Sequence, residues 1–142
     1  MTIHLIRLCV GVGDIEHLRR IQANRSATPE GFREPYATTR RTPTRAAELL
    51  DGGSLYWVMK GHVMVRQRIL GVETVSDYEG KPTCLLTLHH VLVPTLPVTQ
   101  RPFQGWRYLP VQAAPPDLAT LGEGAAELPP DLAAELNELG LL

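Results

Sequence analysis

Residues 54–75, SLYWVMKGHVMVRQRILGVETV, constrain the fold more than any other stretch of this chain. Two runs rich in β-branched and aromatic residues flank a glycine, the local signature of a β-hairpin. Gly61 at the first position of a two-residue Gly61-His62 turn suits type II′ geometry. Such a turn sets Lys60 against Val63, Val58 against Val65, Tyr56 against Gln67 and Ser54 against Ile69 on one side. On the other side it sets Met59 against Met64, Trp57 against Arg66 and Leu55 against Arg68. The side with Val58, Val63, Val65 and Ile69 is expected to be core. The other side then carries an indole beside two guanidinium groups.

The flanking segments supply the rest of a small sheet. IHLIRLCVG reads as a strand buried on both faces, with Ile3, Leu5 and Cys9 on one side and Ile6, Leu8 and Val10 on the other. Asp14 is placed to N-cap a helix running to about Asn24, with Ile15, Leu18 and Ile21 on one face. The polar segment RSATPEGFREPYATTRR follows, and its arginines make it a candidate contact loop. Thr42 and Pro43 read as the N-cap and first position of a second helix, closed at Asp51 with Gly52 free to take a left-handed turn. Gly71 marks a bulge or a close backbone approach, YEGKP a turn, and CLLTLHHVLV a further strand ended by Pro94 and Pro97. The expectation is an α+β domain, a small bent or barrel-like, mostly antiparallel sheet of five to six strands with two helices, over residues 1–118. Residues 119–142 form a Pro/Ala/Leu-rich acidic tail, in which Asp131 to Leu139 could make a short docked helix.

Charge divides the chain where composition does. All 14 lysines and arginines lie within residues 1–110 against nine acids, whereas residues 111–142 hold six acids and no base. Most of the bases are arginine, whose fork suits phosphates and flat rings, so the body favours an anionic partner. The chain has no run of 18 apolar residues, and its first residues lack the features of a secretory signal. The expected location is cytoplasmic. Cys9 and Cys84 have no CxxC partner and read as reduced thiols, neither a disulfide nor a metal site.

Several local motifs fall short of a reaction. GVGDIE follows a strand and opens a helix, but Glu16 stands where a dinucleotide loop needs its third glycine. GGSLY lacks the second glycine of a nucleophile elbow and sits at a helix-to-strand junction. His89 and His90 adjoin on a predicted strand, so they point to opposite faces and cannot chelate one ion together. No catalytic set, cofactor or metal is nominated. The segment RPFQGWRYLP, by contrast, concentrates aromatics and arginines. If residues 103–108 are extended, Phe103 shares a face with Arg107, and Trp106 with Tyr108.

LLDGGSLYWVMKG, RQRILGVE and RPFQGWRYL, with LIRLCVGV at the start and APPDL near residue 118, resemble an alphaproteobacterial family catalogued as domain of unknown function 1489. The likeness covers residues 3 to about 118 and implies no particular activity. A looser likeness exists at fold level. The order of helix, GGSLYWVMKG and a Gly- and Val-rich strand is similar to that of PUA-like domains, including the EVE branch, which implies a mixed β-barrel that binds RNA or modified bases. The functional expectation is non-catalytic binding of RNA or another nucleic acid. Arg66, Arg68, Arg101 and Arg107 would contact phosphate, and Trp57, Trp106 and Tyr108 would offer rings to bases. The acidic tail would compete for the same basic face or dock on a partner protein. A protein-interaction module and a small enzyme of unassigned reaction stand as alternatives.

Overall fold

The structure is a computed structural model describing residues 1–29 and 31–120. The expected tail helix at 131–139 lies outside the described residues. Strand β1 (His4–Leu8) leads into helix α1 (Ile15–Ser26), a two-residue ribbon of β2 (Ala27–Thr28) and β3 (Gly31–Phe32), strand β4 (Tyr36–Thr39) and a one-turn helix α2 (Ala46–Leu49). Then come β5 (Ser54–Met59), β6 (His62–Ser76), β7 (Pro82–Leu88), β8 (Val93–Thr99) and β9 (Trp106–Leu109). Apart from the β2–β3 ribbon, the strands make one seven-stranded sheet ordered β4-β7-β6-β5-β1-β9, with β8 also paired to β6. The fold is α+β with seven strands in its main sheet, more than the five to six expected from sequence. Among the described residues only the β1–β5 pair is parallel.

The long strand β6 organises this sheet. Its first half pairs with β5 and β8, and from Ile69 onward it pairs with β7, with an irregularity between Ile69 and Gly71. A bulge there bends the strand. A Cβ added at Gly71 would lie 3.5 Å from the Thr87 side chain, an ordinary van der Waals contact, so of the two expectations for this glycine the irregularity is the one seen.

The central hairpin is present, but its register differs from the expected one. Lys60 and Gly61 both have positive φ, 49° and 81°, so they form the turn, as type I′ geometry requires. Met59 therefore faces His62 and Val58 faces Val63, and a register shift after Val58 puts Trp57 opposite Val65, Tyr56 opposite Arg66, Leu55 opposite Gln67 and Ser54 opposite Arg68. Trp57 and Arg66 consequently point to opposite faces.

Both faces of β5 are buried. One packs Leu5, Leu55, Trp57, Met59, Val65, Ile69, Leu86 and Leu88 with Leu18 of α1. The other packs Tyr56, Val58, Val63, Ile6 and Phe103. Helix α1 begins as expected, with the Asp14 carboxylate accepting the His17 amide at 2.7 Å. Its buried side chains, however, are Leu18, Gln22 and Ser26. Gln22 is accommodated because its amide clasps that of Gln67, at 2.8 and 2.7 Å.

Three other expectations are corrected. Helix α2 starts at Ala46 and not at Pro43, and its N-cap position, Arg45, makes no side-chain capping bond. Strand β7 stops at Leu88, so His89 and His90 lie beyond it, with ring centroids 4.4 Å apart. Pro94 and Pro97 do not end a strand but lie inside β8. Pro97 is tolerated there because it falls in the irregularity between the Val63–Val98 and Val65–Pro94 pairs, where the β6–β8 register shifts. Both cysteines are free thiols. Burial pushes the Cys9 thiol up to about 11 and raises that of Cys84 as well. Among the described residues no helix is long and apolar enough to cross a membrane.

Candidate functional site

The sheet curls without closing: among the described residues β4 pairs only with β7, and β9 only with β1. Side chains bridge the gap between these two edges. Arg7, projecting from β1, donates from Nη1 to the Thr38 carbonyl at 2.7 Å. Trp106, at the start of β9, donates its indole N–H to the Arg41 carbonyl at 2.8 Å, and Arg41 returns a bond from Nη2 to the Trp106 carbonyl at 3.2 Å. The Arg41 guanidinium also lies over the indole, 4.1 Å from the ring centroid. Cation and ring therefore satisfy backbone groups that sheet pairing leaves open, and attract each other.

This gap opens onto a depression of about 870 Å³. Its walls are the end of β4 with Arg40 and Arg41, the tip of the β6–β7 hairpin with Asp77 and Tyr78, and the approach to β9 with Gln104 and Gly105; Arg7 also lines it. Among the described residues the lining carries three guanidinium groups against one carboxylate, Asp77, which pairs with Arg40 at 3.4 Å. Burial lowers the pKa of Arg7 from its ordinary value, with a smaller opposing effect from Cys9. An arginine remains charged even so.

A second, smaller depression of about 370 Å³ adjoins it, sharing Arg41 and Trp106 and adding Thr42, Thr44, Arg107 and Tyr108. Trp106 and Tyr108 meet edge to face with centroids 4.8 Å apart. The Tyr108 hydroxyl accepts the Arg45 amide at 3.1 Å, and the Arg45 guanidinium lies 5.3 Å from the tyrosine ring centroid. Arg107 projects outward over Phe103, 4.6 Å from its ring centroid. A separate cavity of about 640 Å³ lies beside α1, but Arg19 there is paired with Glu16 and Arg33 lies over the Tyr36 ring at 4.3 Å.

The residues singled out from sequence part company here. Trp106, Arg107 and Tyr108 come together along the arginine strip, although Trp106 is only 4% exposed and shows a ligand little of its ring. Trp57 does not belong to it. Its indole N–H donates to Gln67 Oε1 at 2.9 Å inside the core, so it offers no stacking face. Arg66 is occupied as well. It makes a two-pronged bond with Asp117, at 2.7 and 2.8 Å, and a third bond to Ser54 Oγ at 3.0 Å. That hydrogen bond with Asp117 raises the pKa of Arg66. Arg68 is exposed on the Arg66 face of the hairpin, and Arg101 is exposed between β8 and β9; neither lines the two depressions.

Arg7, Arg40, Arg41 and Tyr78 do not stand out in the sequence as site residues. Two signals were available. Arg7 is a charge inside the otherwise apolar run LIRLCV, and such a residue is rarely buried without a partner. Arg40 and Arg41 end the polar segment already marked as a contact loop. What the sequence does not show is that curling of the sheet brings these positions beside residue 106.

Comparison with curated proteins and with solved structures finds no match. Over residues 5–142, and so including the acidic tail beyond the expected limit of the likeness near residue 118, the chain matches the model of the family described as protein of unknown function (DUF1489), and it belongs to that family.

Proposed function

We propose that the protein binds RNA without catalysis, along the strip of arginines between the β4 and β9 edges. The observation that carries this reading is the convergence of Arg7, Arg40 and Arg41, from two separate parts of the chain, on one open depression with a single carboxylate among the described residues. Guanidinium forks hold phosphate oxygens by paired, charge-assisted bonds. Arg107 extends the cationic line past the Arg41–Trp106 stack. In this reading Trp106 and Tyr108 shape the strip, Arg40, Arg41 and Arg107 contact phosphate, and the central hairpin is scaffold. A PUA-like arrangement and a cytoplasmic location belong to the same proposal. What supports the first is the order of α2, the Gly52–Gly53 pair and β5, followed by the long bent strand β6.

The test is a fluorescence-anisotropy titration of labelled RNA at several salt concentrations. Binding weakens steeply with salt, and Arg40→Ala and Arg107→Ala each flatten the log–log slope, by about 0.7 for every phosphate of a single strand that is no longer neutralised. Arg68→Ala leaves the slope unchanged. Binding that is absent, or indifferent to salt, overturns the reading in favour of a protein partner.

A further inference from the structure

We infer that Tyr78 is a base-stacking contact of this groove, which makes single-stranded rather than duplex RNA its ligand; the inference rests on the RNA reading above. Tyr78 lies at the tip of the β6–β7 hairpin, lines the larger depression, and is 97% exposed. A singly exposed apolar residue needs no explanation on its own. This one differs in how firmly its support is built and in what stands beside it.

Asp77 fixes the turn. One carboxylate oxygen accepts the amides of Glu79 and Lys81, both at 2.9 Å. The Asp77 amide donates to the Lys81 carbonyl and the Gly80 amide to the Asp77 carbonyl, again at 2.9 Å. Gly80 takes the positive φ of 79° that closes the turn. The other Asp77 oxygen takes the bond from Arg40, which ties the tip to the end of β4, next to Arg41. A ring on so constrained a turn loses little backbone freedom when a ligand arrives.

The other rings of the strip are already engaged. Trp106 is buried under Arg41, and Tyr108 is half-buried against Trp106. Tyr78 therefore presents to solvent the ring surface that they do not, within a depression whose charged lining, among the described residues, is three arginines and Asp77. Phosphates along the arginines and an unpaired base on the phenol ring together describe a single strand. In a duplex the base faces are covered by their neighbours, and only the phosphates remain to be held.

The experiment titrates one RNA sequence, single-stranded and annealed to its complement, with the full chain carrying Tyr78, Tyr78→Ala or Tyr78→Phe. The wild type binds the single strand more tightly than the duplex. Tyr78→Ala weakens single-strand binding roughly five- to a hundredfold while leaving the duplex affinity unchanged. Tyr78→Phe keeps the wild-type affinity. The melting temperature is the same in all three, because the side chain is almost entirely in water. Equal single-strand affinities for wild type and Tyr78→Ala overturn the stacking role while the RNA reading stands. Loss of affinity in Tyr78→Phe also overturns it, by assigning the contact to the hydroxyl. A wild type that binds neither form removes the RNA reading and this inference with it.

Discussion

Gln67 holds the side chain of Trp57 in place from the neighbouring strand: its Oε1 accepts the indole N–H at 2.9 Å and the Gln22 amide at 2.8 Å. Its Nε2 donates to Gln22 Oε1 at 2.7 Å and to the His89 carbonyl at 3.0 Å. With 0% of its surface exposed, Gln67 thus spends both donors and both acceptor sites inside the core and joins α1, β5 and the β7–β8 connection. Gln67→Leu keeps the volume but strands the Trp57 N–H and the Gln22 amide. The expected loss is about 2–4 kcal/mol of unfolding free energy by denaturant titration, with partial recovery in Gln22→Leu/Gln67→Leu. A single variant as stable as wild type would show that the network adds nothing.

The same residues show how far the sequence could be read. Alternating runs around a glycine are sufficient to predict the hairpin, but Gly61 serves equally as the first residue of a type II′ turn or the second of a type I′ turn. The choice depended on Lys60 accepting a positive φ, which the packing of both faces of β5 decides and local sequence does not. A one-residue slip, followed by the bulge after Val58, moved Trp57 away from Arg66 and Arg68 and into the core with Gln67. The period-two reading of residues 103–108 holds only from Trp106 onward: a bend at Gln104 and Gly105, with Gly105 at φ 72°, precedes β9, so Trp106 meets Tyr108 along the strand, whereas Phe103 reaches Arg107 by way of the bend and not by strand alternation. The meeting of Arg41 with Trp106 depends on the curl of the whole sheet, for which no local pattern exists.

Arg66 and Asp117 separate scaffold from site. Their side chains are 27% and 24% exposed, so the two-pronged bond is screened less than a surface pair, and it anchors residues beyond β9 onto β6 beside β8. Asp117→Asn is expected to cost about 1–2 kcal/mol in denaturant unfolding. Neither residue lines the groove, so RNA affinity in Asp117→Asn and Arg66→Lys stays at the wild-type value while stability falls. An affinity loss matching that of Arg107→Ala would move the site to the hairpin face.

His4 gives the fold a pH dependence with a definite sign. Its Nδ1 accepts the Ser54 amide at 2.9 Å, which requires an unprotonated nitrogen. Burial, and secondarily the charge of Arg66, lower its pKa from the ordinary 6.5. The unfolded chain then binds the proton more readily than the folded one. The His4 contribution is complete above about pH 6.5, shrinks as the pH falls through the interval down to the lowered folded value, and is constant below it. His4→Asn, which keeps an acceptor for the Ser54 amide, should flatten the stability profile between pH 7 and pH 5 on chemical denaturation. An unchanged slope would assign the dependence to another group.

If the chain binds RNA as proposed, the acidic C-terminal stretch should lower its affinity through charge. Residues 111–142 carry six acids and no base, while the body up to residue 110 has 14 bases against nine acids. Five of those six acids lie beyond Asp117: Glu123, Glu127, Asp131, Glu135 and Glu138. Tethered anions compete with phosphate for the same guanidinium groups at an effective concentration set by the tether, and they raise the cost of bringing a polyanion near. Replacing these five by their amides while retaining Asp117 leaves the Arg66 bond intact. RNA affinity should then rise roughly tenfold at low salt, with the gain fading as salt screens both arms of the competition. Calorimetric titration across a salt series measures both effects. If the amide variant and the wild type bind equally at low salt, the tail does not compete for the arginine strip.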